Sequence, residues 1–160
     1  TPAEILLEML KERHLTFATA ESCTGGNISH LVTMIPGSSE AMLGGIVSYS
    51  NSVKENVLGV NPADIAKFGA VSEPVAAQMA QGARRVTGAD IAVATSGIAG
   101  PGGAVKGKPV GTVCLAVADA TGTHTWTMHF PGDRQRVISR ASNTALILAI
   151  KRLHAGPGKV

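Results

Sequence analysis

Two spacings of apolar residues divide this chain into predicted strands and helices. Short runs of small and apolar residues at 15–20, 44–50 and 90–96 predict three buried strands. Apolar residues three or four positions apart predict helices between these runs. The predicted helices begin at Pro2 and then cover residues 26–34, 51–59, 61–69, 72–86 and 134–153.

Two further runs predict an antiparallel hairpin, because residues 110–118 and 123–130 are joined by the turn Asp-Ala-Thr-Gly. Helices that alternate with strands predict a mixed sheet covered by helices on both faces. The 160 residues contain no internal repeat and no linker. We therefore expect one domain over residues 1–154, followed by a flexible tail of residues 155–160.

Composition refines this expectation. Apolar residues make up 44% of the chain but aromatic residues only 3%, so we expect a core of small aliphatic side chains. No apolar run reaches the roughly 18 residues of a membrane span, and no secretory signal pattern precedes the first helix. Two cysteines do not form a disulfide framework. These features predict a reduced, cytoplasmic protein that does not associate with membranes.

The net charge of +3 favours a small anionic ligand over a nucleic acid. No basic run alternates with aromatic residues, as a nucleic-acid groove requires, so we expect no nucleic-acid partner. The five histidines make no two-ligand motif, and we expect no metal site.

The stretch TAESCTGGNIS places a serine where a predicted strand meets a predicted helix. Ligands of open α/β sheets bind at this edge, and Ser22 is a candidate nucleophile there. Peptide N–H groups around Thr24, Gly25 and Gly26 could hold a phosphate or an oxyanion. Two alternatives stay open: Ser22 or Thr24 is only a helix cap, or the neighbouring Cys23 is the nucleophile.

The stretch SYSNSVKENV supplies groups that could move a proton. Tyr49 lies near the end of a predicted strand, and Lys54 lies at the start of the next helix. Both could reach the sheet edge that carries Ser22. A lysine can act as the base if burial lowers its pKa from about 10.4, although an exposed helix lysine is the common alternative.

The glycine-rich stretch from Ala94 to Val113 predicts a loop over the same edge. It contains G-x-x-x-x-G-K, but Pro109 follows where a P-loop requires Ser or Thr and then a helix. Ser96 could offer a hydroxyl there, and Gly97 and Gly100 could offer backbone N–H groups. The alternative is a plain surface loop.

The stretch FPGDRQRV places two arginines in the first turn of the last predicted helix, after Asp133 as the expected cap. Arginine at this end opposes the helix dipole, which favours a bound anion. Arg134 and Arg136 are therefore candidate phosphate ligands, and a solvated surface arginine is the alternative.

Four of these stretches together resemble the C-terminal domain of the competence/damage-inducible CinA family: AESCTGG, GGIVSYSNSVKENVLGV, GAVSEPVA with GAD, and SGIAGPGG with KPVGTV. The resemblance covers residues 2–153. It implies a single-domain, three-layer α/β/α sandwich with a mixed, mainly parallel sheet, and a homodimer. It also implies an amidohydrolase that converts nicotinamide mononucleotide to nicotinate mononucleotide and ammonia, without metal or organic cofactor.

The same resemblance assigns roles to residues. Ser22 corresponds to the family's nucleophile, and Tyr49 and Lys54 correspond to its motif tyrosine and lysine. Ser96 stands where the family usually has threonine, and Arg136 corresponds to the arginine that would bind the substrate phosphate. Two other functions remain open: a nucleotide-binding module that has lost catalysis, and an amidase for a different amide.

Overall fold

A computed structural model describes residues 1–156, which fold around one five-stranded sheet. Its strands are β1 (Phe17–Glu21), β2 (Met42–Val47), β3 (Ile91–Gly97), β4 (Thr112–Asp119) and β5 (Gly122–His129), in the order β2-β1-β3-β4-β5. β1 pairs in parallel with β2 and β3, whereas β4 runs antiparallel to β3 and β5. Four of the five strands therefore point the same way, and the predicted mixed, mainly parallel sheet is confirmed.

Helices cover both faces of this sheet, so the three-layer α/β/α architecture is also confirmed. The helices are α1 (Pro2–Glu12), α2 (Asn27–Thr33), α3 (Asn51–Asn56), α4 (Pro62–Phe68), α5 (Glu73–Thr87) and α6 (Arg134–Ala155). α1, α2 and α6 share one core with the sheet, and α5 packs on the opposite face. α6 continues to Ala155, so the predicted tail does not begin there; residues 157–160 of that tail lie outside the described residues.

The two faces of the sheet differ in the size of their side chains. The face towards α1 and α6 buries large residues such as Phe17, Leu6 and Leu146. The face towards α5 is lined by six buried alanines: Ala18, Ala20, Ala92, Ala94, Ala116 and Ala118. On α5, Gly82 allows a separate close approach to the segment after α3, since a Cβ there would lie 2.1 Å from the carbonyl oxygen of Leu58.

The parallel strands β1, β2 and β3 end at one edge of the sheet, where open α/β folds bind their ligands. The turn from β1 into α2 starts at this edge with Ser22, and the loop after β3 starts beside it. Within residues 1–156, no helix combines the length and the apolar character that a membrane crossing requires.

Candidate active site

A cavity of about 360 Å³ opens at this edge of the sheet. It is lined by the turn after β1, the segment from the end of β2 into α3, the segment between α4 and α5, the end of β3 with the loop that follows it, and the first residue of α6. Its side chains with polar or reactive groups include Ser22, Cys23, Tyr49, Lys54, Ser96 and Arg134. Five segments that are distant in sequence therefore contribute to one pocket.

Lys54 is a buried lysine whose amine points at Ser22. Ser50 caps α3 by accepting a hydrogen bond from the N–H of Val53, and this helix carries Lys54 into the pocket. The side chain is only 1% exposed. Burial lowers the pKa of Lys54 from its ordinary value of 10.5, because the charged ammonium loses its hydration. The neutral amine therefore forms at a lower pH here than it would at the protein surface.

The three contacts of the Lys54 amine fix where its lone pair points. The amine Nζ donates to the carbonyl oxygens of Ser48 (2.7 Å) and Tyr49 (3.1 Å), and it lies 3.1 Å from Ser22 Oγ. Carbonyl oxygens can only accept, so they take two N–H bonds of the amine. In neutral Lys54 the remaining position is the lone pair, which then faces the Ser22 hydroxyl. This arrangement can remove a proton from Ser22.

The structure separates Ser22 from its rival nucleophile, Cys23. The backbone N–H of Ser22 donates to the carbonyl of Thr95, which fixes the residue at the end of β1. Cys23 turns into the core beneath α1 and α6 and is 6% exposed. Burial, as the largest cause, raises the pKa of Cys23 to about 12. The thiol therefore stays protonated, and Ser22 is the better-placed nucleophile.

Tyr49 and Arg134 form a second polar group at the pocket. The Tyr49 hydroxyl accepts a hydrogen bond from Arg134 Nη2 at 3.1 Å, and Arg134 Nη1 donates to the carbonyl of Gly100 at 2.8 Å. Tyr49 is 61% exposed. Among the described hydrogen bonds, the Tyr49 hydroxyl contacts neither Ser22 nor Lys54, and it is the backbone carbonyl of Tyr49 that accepts from the lysine amine.

Arg136, which is predicted to bind the substrate phosphate, has an exposed side chain that is not part of the pocket lining. Its backbone N–H donates to Oδ1 of Asp133, the helix cap, at 2.9 Å. Two residues along a helix turn the side chain by roughly 200°, so Arg134 and Arg136 point in different directions. Arg134 takes the position at the pocket.

Thr24, Gly25 and Gly26 also do not line the pocket, and their role in ligand binding stays a prediction. The Thr24 hydroxyl is buried and contacts Glu21 Oε1 (2.7 Å) and Thr95 Oγ1 (2.8 Å). Gly25 and Gly26 have φ angles of 61° and 96°, a left-handed backbone that favours glycine. Their role is to shape the turn that carries Ser22.

The loop after β3 contributes backbone as well as a hydroxyl. Ser96 lines the pocket, but its Oγ donates to the carbonyl of Ala70 at 2.8 Å. Gly97 lines it too, and a Cβ there would lie 2.8 Å from the Thr112 carbonyl. Ala99 and Gly100 are buried at the pocket, and their peptide N–H groups have no acceptor within residues 1–156. These N–H groups could bind a substrate oxygen.

Sequence reasoning missed Glu21, whose side chain is fully buried beneath the turn. Nothing in the local pattern indicates this, since its partners come from both sides of the turn. Among the described residues, no group of three or more His, Cys, Asp or Glu side chains is arranged to hold a metal ion. That the protein needs no metal stays a prediction.

Comparisons with known proteins agree on one family. A model of the CinA C-terminal domain matches residues 1–153. A CinA-like protein of Chlorobaculum tepidum is 48% identical across 96% of this chain, and one of Mycolicibacterium gilvum is 52% identical across 88%. These alignments cover 37% and 34% of the relatives, so the chain spans little more than a third of their length. A solved competence or damage-inducible protein of Enterobacter asburiae superposes with a TM-score of 0.92 at 38% identity, covering 95% of this chain and 96% of that one.

Proposed function

We propose that this chain, which belongs to the CinA C-terminal domain family, hydrolyses the amide of nicotinamide mononucleotide to give nicotinate mononucleotide and ammonia. One observation carries the reaction type: the buried amine of Lys54 lies 3.1 Å from Ser22 Oγ, with its other hydrogen bonds directed at two carbonyls. A binding module has no use for a buried lysine amine held against a serine hydroxyl.

The first half of the proposed reaction forms an acyl-enzyme. Neutral Lys54 takes the proton of Ser22 as Oγ attacks the amide carbonyl carbon. The oxygen that becomes negative is stabilised by unpaired peptide N–H groups, for which Ala99 and Gly100 are the candidates at this pocket. The Lys54 ammonium then returns its proton to the amide nitrogen, the C–N bond breaks, and ammonia leaves.

The second half releases the acid. Water occupies the place of ammonia and gives a proton to Lys54 while its oxygen attacks the ester carbon. The C–O bond to Ser22 breaks, Lys54 returns the proton to Oγ, and the acid product gives up its remaining proton to solvent and leaves as the carboxylate. Lysine therefore acts as base and acid in turn, and each proton that it accepts is returned.

The position of Arg134 supports the proposal that the substrate carries a phosphate. Its guanidinium lies at the pocket and donates to neutral partners, the Tyr49 hydroxyl and the Gly100 carbonyl, so its charge is available to an anion. Tyr49 holds the guanidinium in place in this proposal. The cavity volume of about 360 Å³ falls within the range of small-molecule sites and suits a mononucleotide.

The test is ammonia release from nicotinamide mononucleotide by the wild type, Ser22→Ala and Cys23→Ala proteins. We expect release by the wild type and by Cys23→Ala, and none by Ser22→Ala. Tight binding of the nucleotide without ammonia would instead identify a binding module. Release from free nicotinamide or pyrazinamide alone would identify an amidase for another amide.

A further inference from the structure

The buried carboxylate of Glu21 gathers five hydrogen-bond donors beneath the turn that carries Ser22. Oε1 accepts from Thr24 Oγ1 (2.7 Å) and from the backbone N–H of Ile28 (2.8 Å). Oε2 accepts from the N–H and hydroxyl of Ser29 (3.0 and 2.9 Å) and from Thr19 Oγ1 (3.2 Å). In all five contacts the carboxyl oxygens of this fully buried side chain are the acceptors.

These contacts tie together the two ends of the turn. Glu21 is the last residue of β1, and its side chain reaches the first turn of α2. The residue before α2 is Gly26, which has no side chain to bind the first free N–H groups of that helix. Glu21 binds two of them in its place. Ser22 lies between these two anchors.

The backbone of Glu21 reaches the other member of the catalytic pair. Its carbonyl accepts from the N–H of Ser48 at 2.8 Å, and the carbonyl of Ser48 accepts from Lys54 Nζ at 2.7 Å. One residue therefore holds the serine turn through its side chain, and the strand end beside the lysine through its backbone. A shift of this residue changes the distance between Ser22 Oγ and Lys54 Nζ.

We propose that Glu21 is a positioning residue that sets the distance between Ser22 and Lys54. This inference rests on the proposed function, because it takes Ser22 as the nucleophile. Glu21 does not line the pocket and does not contact the substrate in this proposal. Its loss therefore lowers the rate of attack and leaves substrate binding in place.

Glutamine is the sharpest substitution at this position. Glu21→Gln keeps the length of the side chain, and its remaining oxygen can still accept from Thr24 and Ile28. Its amide NH₂ then meets the N–H of Ser29, and two donors repel each other. A misplacement of about 1 Å can cost roughly 100-fold in rate, so we expect kcat to fall roughly 10- to 100-fold with an unchanged KM.

The experiment measures the nucleophile without relying on the natural substrate. A fluorophosphonate probe reacts when Ser22 Oγ attacks phosphorus, fluoride leaves, and the hydroxyl proton passes to Lys54. The probe is applied to the wild type, Glu21→Gln and Asp119→Asn proteins, and kcat and KM for ammonia release are measured in parallel. Asp119→Asn is the matched control, because it breaks a largely buried ion pair with Arg152 at the opposite edge of the sheet.

We expect Glu21→Gln to be labelled roughly 10- to 100-fold more slowly than the wild type, and Asp119→Asn at the wild-type rate. If Glu21→Gln does not fold, Ser29→Ala is tested in its place. Ser29 lies outside the pocket, and its replacement removes one hydroxyl donor to the Glu21 carboxylate. A slower labelling of Ser29→Ala, by a smaller factor than the one expected for Glu21→Gln, supports the proposal. Unchanged labelling of folded Glu21→Gln or Ser29→Ala refutes the positioning role alone. Failure to label Ser22 in the wild type refutes the nucleophile, and the positioning role with it.

Discussion

Replacing Lys54 with methionine removes the amine that contacts Ser22 and keeps an unbranched side chain of similar length. Methionine cannot accept a proton from the hydroxyl, so Ser22 must lose its proton to water. The apolar side chain still fills a site that is 1% exposed in the wild type. The substitution therefore tests the base while it leaves the shape of the pocket nearly intact.

The size of the effect follows from the role of the amine. A positioned general base contributes about 100- to 10,000-fold to the rate, which corresponds to about 3 to 5 kcal/mol of activation free energy. We expect kcat of Lys54→Met to fall by about this factor. We expect the KM to change little, because in the proposed mechanism Arg134, and not the lysine, binds the phosphate of the substrate.

The pH dependence gives a second readout. Burial lowers the pKa of Lys54 below 10.5, and only the neutral amine takes a proton from Ser22. Wild-type activity should therefore rise with pH through the lowered pKa and then level off. Between that pKa and 10.5 the unfolded chain holds more protons on Lys54 than the folded chain does, so the free energy of unfolding also rises with pH there. Lys54→Met should lose both rises.

Ammonia release over a range of pH measures the first rise, and urea unfolding at each pH measures the second. The circular dichroism spectrum shows whether the variant is folded. Near wild-type turnover by folded Lys54→Met would refute Lys54 as the base, and the proposed mechanism would then lack its proton acceptor.

Three further predictions concern the phosphate site, the packing of α5 and the acid stability of the fold. Arg134→Ala should raise the KM for nicotinamide mononucleotide about tenfold or more but barely change it for the riboside without phosphate; an equal effect of Arg136→Ala would contradict the assignment. Gly82→Ala should lower the free energy of unfolding by about 3 kcal/mol, because the new methyl group has no space beside Leu58. Gly88→Ala should lower it by about 1 kcal/mol, because the methyl group there has open space and only the positive φ angle is unfavourable. Equal losses in the two variants would contradict the close approach of α5. Burial opposes ionisation of Asp119, but hydrogen bonds outweigh it and lower its pKa to about 2. The stability from this group is complete above its unfolded pKa of 3.8 and is lost as the pH falls towards 2; acid unfolding of Asp119→Asn should lack this dependence.

Much of the fold could be predicted because each element carries its own local signal. The apolar periods, the prolines at helix starts and the turn between β4 and β5 all act over a few residues. Ser22 and Lys54 were predicted for a related reason: the carboxyl ends of parallel strands meet at one edge, so residues that follow those strands come together. The distance between them depends on tertiary packing, which no local pattern contains.

The roles of the remaining site residues depend on the directions in which their side chains point, which local sequence patterns do not predict. Arg134 and Arg136 lie in the same helical turn, and only the position of α6 against the sheet decides which one faces the pocket. Thr24 belongs to a suggestive motif, yet its hydroxyl points into the protein. A glutamate at the end of a strand is expected to be exposed. The burial of Glu21 becomes understandable only once the structure shows the donors from β1, the turn and α2 that surround it.

The alanine-lined face beneath α5 has a consequence for how this protein can change over evolution. An alanine has no rotamer to adjust, so an added methyl group on this face must be accommodated by the few larger side chains of the same cluster, such as Met79, or by a displacement of α5. A displacement of α5 reaches the pocket, because the segment that leads into this helix supplies Val71 to the pocket wall. In a library of random substitutions, this face should therefore accept few single changes, and larger residues should appear there only together with compensating reductions on α5.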